Sequence, residues 1–192
     1  RVTGPLRLGG VAVSEMRWQE NFTETADVVS RIDAMVPALD TPALARLGLE
    51  ARPYLEGPVA LEVALRTFPD GRGTADLTAG LKAAQVALPE AGWVKPPGRA
   101  GQAEGRLQLS GGTPVALEEI AVKATGRDGR RLDAAGSLRF GGATPSRLDR
   151  AALSRLALGR TDLREVQMAR LSETGWSVEV GGGTLDLEAI LS

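Results

Sequence analysis

The sequence predicts a mainly β protein: an antiparallel sheet with one or two short α-helices near the N-terminus. From residue 59 to the end, apolar side chains alternate with polar or small ones, as expected for strands with one buried face. Short turns rich in Gly, Pro and Asp separate these runs, which predicts eight to ten strands in an antiparallel meander. Apolar residues make up 43% of the chain, enough for a substantial core.

The N-terminal part divides into two predicted segments. Residues 1–20 are expected to form two short strands around Gly9-Gly10. Residues 21–48 are expected to be helical, and the two predicted segments and the meander of residues 49–192 would form one continuous domain. Val11, Val13 and, if the register shifts, Met16 would share one face of the second strand.

The helical prediction for residues 21–48 depends on spacing and on end signals. A capping box at Asn21 and Glu24 begins the first helix, and Pro37 ends or kinks it. The second helix is short and has its own start and stop signals. The apolar residues at helical spacing are Val28, Ile32, Met35, Val36 and Leu39. The second helix has Thr41 as N-cap, Pro42 at its first position and Gly48 just past its end.

The predicted meander has several irregular points. A shift in alternation at Lys82-Ala83 suggests a β-bulge, and residues 88–98 are expected to be a loop stiffened by prolines. Asp128-Gly129 indicates a tight hairpin. Residues 147–159 are compatible with a helix, but the surrounding pattern favours a bent strand. Gly181-Gly182-Gly183 is expected to break the chain before a last strand with Leu185, Leu187 and Ile190.

One face of this sheet is expected to be apolar, lining either an open groove or a closed core. An apolar face of this size cannot remain in water, so it must pack on a second sheet, curl on itself, carry helices or hold a ligand. The residues predicted to face the groove or core are Val59, Leu61, Val63, Leu65, Leu77, Leu81, Val86, Leu107, Leu109 and Leu138.

The composition argues against several classes of function. The chain contains neither histidine nor cysteine, so the commonest general base, the commonest transition-metal ligand and thiolate chemistry are missing. We therefore predict no catalytic residues, no metal site and no cofactor. The net charge is −1 and no long basic run occurs, which also argues against nucleic acid as a partner.

Three segments together resemble a known family. They are residues 88–98 (Leu-Pro-Glu-Ala-Gly-Trp-Val-Lys-Pro-Pro-Gly) with the strand that follows, residues 157–163 (Ala-Leu-Gly-Arg-Thr-Asp-Leu), and residues 175–187 from Gly175-Trp176 to Asp186-Leu187. In this order and spacing they resemble the AsmA-like proteins of the YhdP type in Gram-negative bacteria, relatives of TamB and of the bridge-like lipid transfer proteins. The similarity runs from about residue 20 to the end of the chain.

The resemblance implies a shape, a function and a location. The antiparallel sheet would be elongated and curled, open as a hydrophobic groove. The resemblance also implies a non-catalytic segment of a periplasmic cell-envelope protein that binds or conducts phospholipid acyl chains between the inner and outer membranes. The parent protein would be tethered to the inner membrane by an anchor outside this chain, which we expect to be a fragment. A groove would place Trp93, Lys95 and Trp176 at its rim near lipid headgroups. The residues themselves favour the alternative, in which the tryptophans plug the ends of the sheet and Lys95 lies in a solvated loop.

A second hypothesis is a closed β-sandwich that serves as an interaction or structural module of an envelope assembly. Such a module would dock a partner through an unpaired sheet edge. Edge-to-edge self-association of the chain is expected under either hypothesis if its terminal strands lack their neighbours.

Overall fold

The computed structural model describes residues 2–8, 11–23, 27–46, 51–52, 54–141, 147–172 and 175–186. Its main feature is an eleven-stranded antiparallel sheet, accompanied by a separate three-stranded sheet and one short helix. The main sheet comprises β1 (Val2–Leu8), β2 (Val11–Glu20), β3 (Ser30–Leu39), β5 (Val59–Thr67), β6 (Arg72–Gly80), β9 (Gly101–Ser110), β10 (Thr113–Thr125), β11 (Arg131–Gly141), β12 (Arg147–Leu158), β13 (Thr161–Arg170) and β14 (Trp176–Thr184). The small sheet comprises β4 (Leu55–Glu56), β7 (Gln85–Leu88) and β8 (Trp93–Lys95), and the helix is α1 (Thr41–Arg46).

The strands of the main sheet lie side by side in chain order, each antiparallel to the next, from β1 at one edge to β14 at the other. The sheet does not close on itself. The predicted fold class is therefore confirmed: a mainly β, open antiparallel meander. Ten strands follow residue 58, in agreement with the predicted eight to ten.

The first predicted helix, Asn21 to Leu39, is wrong, because Ser30–Leu39 is strand β3. β3 pairs with β2 on one side and with β5 on the other. Ile32, Ala34 and Val36 alternate on one face of this strand, whereas Met35 is exposed. The helical and the alternating patterns share Ile32 and Val36, so the local sequence is compatible with either structure. Pairing with a strand on both sides outweighed the helical spacing.

The second predicted helix is confirmed as α1, but its N-cap lies one residue earlier than expected. The Asp40 carboxylate accepts a hydrogen bond of 2.8 Å from the Ala43 N–H, which satisfies a free donor of the first turn. The Thr41 hydroxyl instead donates to the Leu55 carbonyl at 3.2 Å and ties the helix to β4. Gly48, the predicted stop, lies outside the described residues, as does the Gly9-Gly10 turn.

The bulge predicted at Lys82-Ala83 is wrong, because the chain leaves the main sheet there. After Leu81 it bends and forms β7 in the small sheet, so β6 pairs with β9 instead. The loop predicted over residues 88–98 contains a single 3-10 turn, Pro89–Ala91, followed by strand β8.

The C-terminal half follows the prediction more closely. Residues 147–158 form strand β12, as favoured over a helix, and Asp128-Gly129 turns between β10 and β11. The predicted break at Gly181-Gly182-Gly183 is wrong, since all three glycines lie within β14, and Gly182 and Gly183 pair directly with β13. Leu187 and Ile190, expected to form a further strand, lie outside the described residues.

A line of irregularities crosses the sheet from β10 to β13 and keeps its apolar side chains on one face. In β10, β12 and β13 the apolar residues are spaced by three instead of two at this line, which we call the crease. Register shifts mark it in β10 and β12, and Glu119 and Glu165 adopt positive φ of 52° and 53° there. One extra residue in a strand brings the apolar side chains that follow it back to the same face of the sheet as those that precede it. The spaced pairs are Leu117 and Ile120, Leu153 and Leu156, and Leu163 and Val166.

Gly136 of β11 is the position at which the crease tolerates no side chain. A Cβ added there would lie 2.2 Å from the Ala152 carbonyl oxygen and 2.7 Å from the Leu153 Cα. Because both atoms belong to backbone within the sheet, neither can move without disturbing the pairing of β11 with β12.

We expect Gly136→Ala to lower the free energy of unfolding by about 2–3 kcal/mol, the upper part of the range for overpacked cores. Gly80→Ala is the control, because its Cβ would meet only Ala60 at an ordinary 3.6 Å and should change stability by less than about 1 kcal/mol. Urea denaturation followed by circular dichroism measures both. Equal stability of the two variants would show that the crease is not a tight contact.

Candidate functional site

The main sheet has one apolar face, and cross-strand register extends it over ten strands. On this face, directly opposed residues form an uninterrupted series from β2 to β14, which we call the long row. The series continues through β11 to β14 without a polar member. The long row consists of Trp18, Ile32, Leu65, Ala75, Leu107, Leu117, Leu138, Ala151, Met168 and Val178.

Two further apolar rows lie parallel to the long row, nearer the end of the sheet where α1 and the small sheet are found. A middle row runs through β3, β5, β6 and β9 and resumes beyond the crease. The outermost of the three, the capped row, crosses eight strands. The middle row includes Ala34, Val63, Leu77, Gly105, Ile120, Leu153 and Val166; the capped row is Val36, Leu61, Ala79, Ala103, Val122, Ala134, Leu156 and Leu163.

The capped row is covered by α1 and the small sheet. Ala43 of α1 packs with Val36 and Leu39, and Leu61 lies against this cluster. Trp93 of β8 packs on the end of the sheet at Ala124, where Leu132 and Leu158 belong to the same cluster and Val122, Ala134 and Leu156 border it. A third cluster joins Val59, Leu81 and Ala84, with Ala79 and Ala103 at its margin.

No residue of the long row belongs to these three clusters. Within the clusters, no described helix or strand packs over the long row. Of its central side chains, Ala75 and Ala151 are buried at 4% exposure each, and the larger ones are half-buried. The row ends in exposed residues, since Trp18 is 58% and Val178 55% exposed. The described residues therefore leave a broad apolar strip beside the capped end without a protein layer over it.

Most predicted groove residues lie on this apolar face. Half-buried members of the three rows are Leu61, Val63, Leu65, Leu77, Leu107 and Leu138, while Leu109 lies half-buried at the β9–β10 hairpin. Val59 and Leu81 are instead buried beneath the small sheet. Val86 belongs to the small sheet itself, where it packs between two of the clusters.

The rim position predicted for Trp93 and Lys95 is wrong, because these side chains are only 1% and 0% exposed. Trp93 plugs the end of the sheet, as the alternative prediction held, and its indole Nε1–H donates to the Arg130 carbonyl at 3.2 Å. Trp176 of the edge strand is half-buried, with the Arg170 guanidinium carbon 4.6 Å from its ring centroid. A rim role for Trp176 stays a prediction.

Lys95 is the one cation among the described residues that lies fully buried. Its ammonium donates to the Ala84 carbonyl at 2.7 Å and to the Pro96 carbonyl at 3.2 Å, which fastens the small sheet to the bend after β6. A Cβ at Gly101 would lie 2.8 Å from the Lys95 Cε, so the close approach depends on a glycine in β9. Burial lowers the pKa of Lys95 below its ordinary value, because desolvation penalises the charged form.

The opposite face of the sheet is polar and carries cross-strand ion pairs. Asp76 lies between two arginines, 2.7 Å from Arg106 Nε and 3.6 Å from Arg66 Nη2. Hydrogen bonding to Asp76 and the charge of Glu119 raise the pKa of Arg106.

Side chains of this face line two hollows, of about 530 Å³ across β2 to β6 and about 310 Å³ across β11 to β14. Sequence reasoning did not find these hollows, because they depend on which strands are neighbours.

Comparisons of the chain with protein-family models, with curated proteins and with solved structures found no match. Among the described residues, no helix has the length and apolar character needed to cross a membrane.

The buried ammonium of Lys95 predicts a specific pH dependence of stability. Because its pKa is lowered on folding, the unfolded chain holds this proton more tightly, and the free energy of unfolding should rise as pH increases from the folded pKa towards the ordinary value. We expect the wild-type protein to gain stability between about pH 8 and pH 10 relative to Lys95→Met. Urea unfolding at both pH values measures the difference.

Lys123→Met is the matched control, because Lys123 is exposed. Its stability should follow that of the wild-type protein across the same pH range. A Lys95→Met variant with the same pH slope as Lys123→Met would contradict the assignment of the effect to the buried ammonium.

Proposed function

We propose that the uncovered part of the apolar face binds the acyl chains of a lipid. The observation that carries this proposal is the long row: ten directly opposed apolar residues on ten consecutive strands, outside the clusters formed by α1 and the small sheet. Soluble monomers rarely leave so extended an apolar surface in water, and such a surface indicates a binding site.

The dimensions of the long row suit an acyl chain. Nine intervals between neighbouring strands, at roughly 4.8 Å each, give a length of about 43 Å. The chains of one membrane leaflet span only about 15 Å, so the row is long enough for more than one chain placed end to end. Each methylene transferred from water contributes about 0.8 kcal/mol, and aliphatic side chains are sufficient for this purpose.

The resemblance to AsmA-like proteins of the YhdP type supports the same proposal. Under it, the chain is a non-catalytic groove segment of a periplasmic protein tethered to the inner membrane, which conducts phospholipid towards the outer membrane. The open edges of the sheet are compatible with such a role, because an open meander can continue into further strands on either side. Membrane location and transport are proposals that depend on the resemblance.

Mass spectrometry of the purified chain tests lipid binding. We expect phospholipid to co-purify with the wild-type protein and to be lost in Leu107→Asp, which places a carboxylate in the middle of the long row, where burial of a charge is costly. The matched control is Gln108→Asp, which makes a similar charge change one residue away on the polar face.

Thermal unfolding of both variants accompanies the lipid measurement, so that loss of binding is separated from loss of fold. Val63→Asp, in the middle row, provides a second apolar-face variant if Leu107→Asp does not fold. The proposal fails if the wild-type protein carries no lipid, or if Gln108→Asp and a folded apolar-face variant retain it equally.

A second candidate function is docking through a sheet edge. The small sheet covers only one end of the apolar face, so the described residues do not form the closed sandwich of the second hypothesis. The edge strand β14 nevertheless exposes Val178 and Val180, which are 55% and 46% exposed. An added strand would bury both valines and extend the apolar rows.

Edge pairing predicts concentration-dependent self-association of the wild-type chain. Val178→Lys should reduce it, because a lysine on an edge strand opposes strand addition. Val115→Lys, an exposed valine within β10, is the control. Sedimentation velocity over a concentration series measures the effect, and a wild-type chain that remains monomeric throughout would exclude self-association through this edge.

A further inference from the structure

A third hollow lies at the capped end of the sheet, where β9, β10 and β11 reach the bend after β6. Its volume is about 590 Å³. Gln102, Lys123 and Asp133 lie directly opposite one another across three strands, and Thr125 is opposite Arg131 in the next position. Lys82 lines the hollow from the bend. Three cations and one carboxylate thus border it.

The cations of this hollow have no carboxylate partner, in contrast to nine arginines elsewhere among the described residues that form ion pairs. Among the described residues, Lys82, Lys123 and Arg131 make no ion pair, although all three are exposed. Lys123 faces Asp133 across the strands without an ion pair, and the Asp133 carboxylate lies 3.5 Å from Arg155 Nη1 instead. The hollow therefore carries a net positive charge, because three cations border it and its one carboxylate is paired with Arg155.

The polar face elsewhere shows the contrast. In the hollow of that face across β2 to β6, Arg31 is paired with Asp33, and the Asp76 carboxylate that also lines it is paired with Arg66. Arginine also predominates in the whole chain, with 20 arginines and three lysines. One lysine, Lys95, is buried as a structural cross-link, and the two exposed lysines both line the hollow at the capped end.

We propose that this hollow binds the phosphate group of an anionic ligand. Ammonium groups on flexible stems can converge on a phosphate from several directions, and an arginine adds a planar donor fork. The Thr125 hydroxyl and the Gln102 amide supply neutral hydrogen-bond donors beside the charges. The phosphate could belong to a lipid headgroup or to a free phosphate compound, since both present the same oxyanion.

This site is independent of lipid binding on the apolar face. Its cations border the hollow at the capped end of the sheet. The residues covered by the small sheet lie between that end and the long row. Substitution in the hollow should leave the acyl-chain content of the protein unchanged, and substitution of Leu107 should leave phosphate binding unchanged.

Isothermal titration calorimetry with inorganic pyrophosphate tests the free-phosphate source, and co-sedimentation with phosphatidylglycerol vesicles, against phosphatidylcholine vesicles, tests the headgroup source. We expect saturable binding of the 192-residue chain at physiological ionic strength. The double variant Lys82→Gln/Lys123→Gln should weaken it by about tenfold or more, since two charge-assisted contacts are lost.

The control is Arg72→Gln/Arg150→Gln, which makes the same change in net charge at two exposed arginines that have carboxylates nearby. It should leave the affinity within about twofold, because a screened distant charge contributes little. Binding of pyrophosphate or of phosphatidylglycerol vesicles that requires the two lysines supports the proposal and identifies the source. Absence of saturable binding to both probes, or equal weakening by the two double variants, would overturn it.

Discussion

The structure depends on cross-strand register, which places one apolar side chain opposite another through ten strands of a single sheet. Because side chains alternate between faces with a period of two, a slip of one residue in any strand would turn its apolar set to the polar side. At the crease, extra residues in β10, β12 and β13 keep the apolar side chains of these strands on the apolar face. This arrangement requires two glutamates with positive φ and a glycine that admits no side chain.

A sheet built in this way creates an apolar face that needs cover, and the chain covers only part of it. The bend after β6 sends the polypeptide out of the main sheet to form β7 and β8, and Trp93 and Lys95 fasten this small sheet over the capped row. The buried ammonium has two carbonyl partners and no carboxylate, so the attachment depends on hydrogen bonding within a dry junction. The division of the apolar face into a covered and an uncovered part is the basis of the lipid proposal.

The two faces of the sheet offer different chemistry to a ligand. The uncovered apolar strip provides dispersion and hydrophobic contact without any directional group. The polar face holds arginines and carboxylates that neutralise one another, as Asp76 does with Arg66 and Arg106. At the capped end this neutralisation fails, and lysines border a hollow without carboxylate partners. A ligand with apolar chains and a phosphate group would find both kinds of surface in this protein, although at separate places.

The sequence by itself determined the antiparallel meander, the approximate number of strands after residue 58 and most residues of the apolar face, because period-two alternation and short turns are local signals. Only the tertiary structure decided the rest. Residues 30–39 became a strand because they pair on both sides, residues 85–95 left the sheet to cover it, and Trp93 and Lys95 went inside instead of to a rim. These outcomes depend on contacts between residues distant in sequence, and no local pattern specifies which strands will be neighbours or which side chains will meet across them.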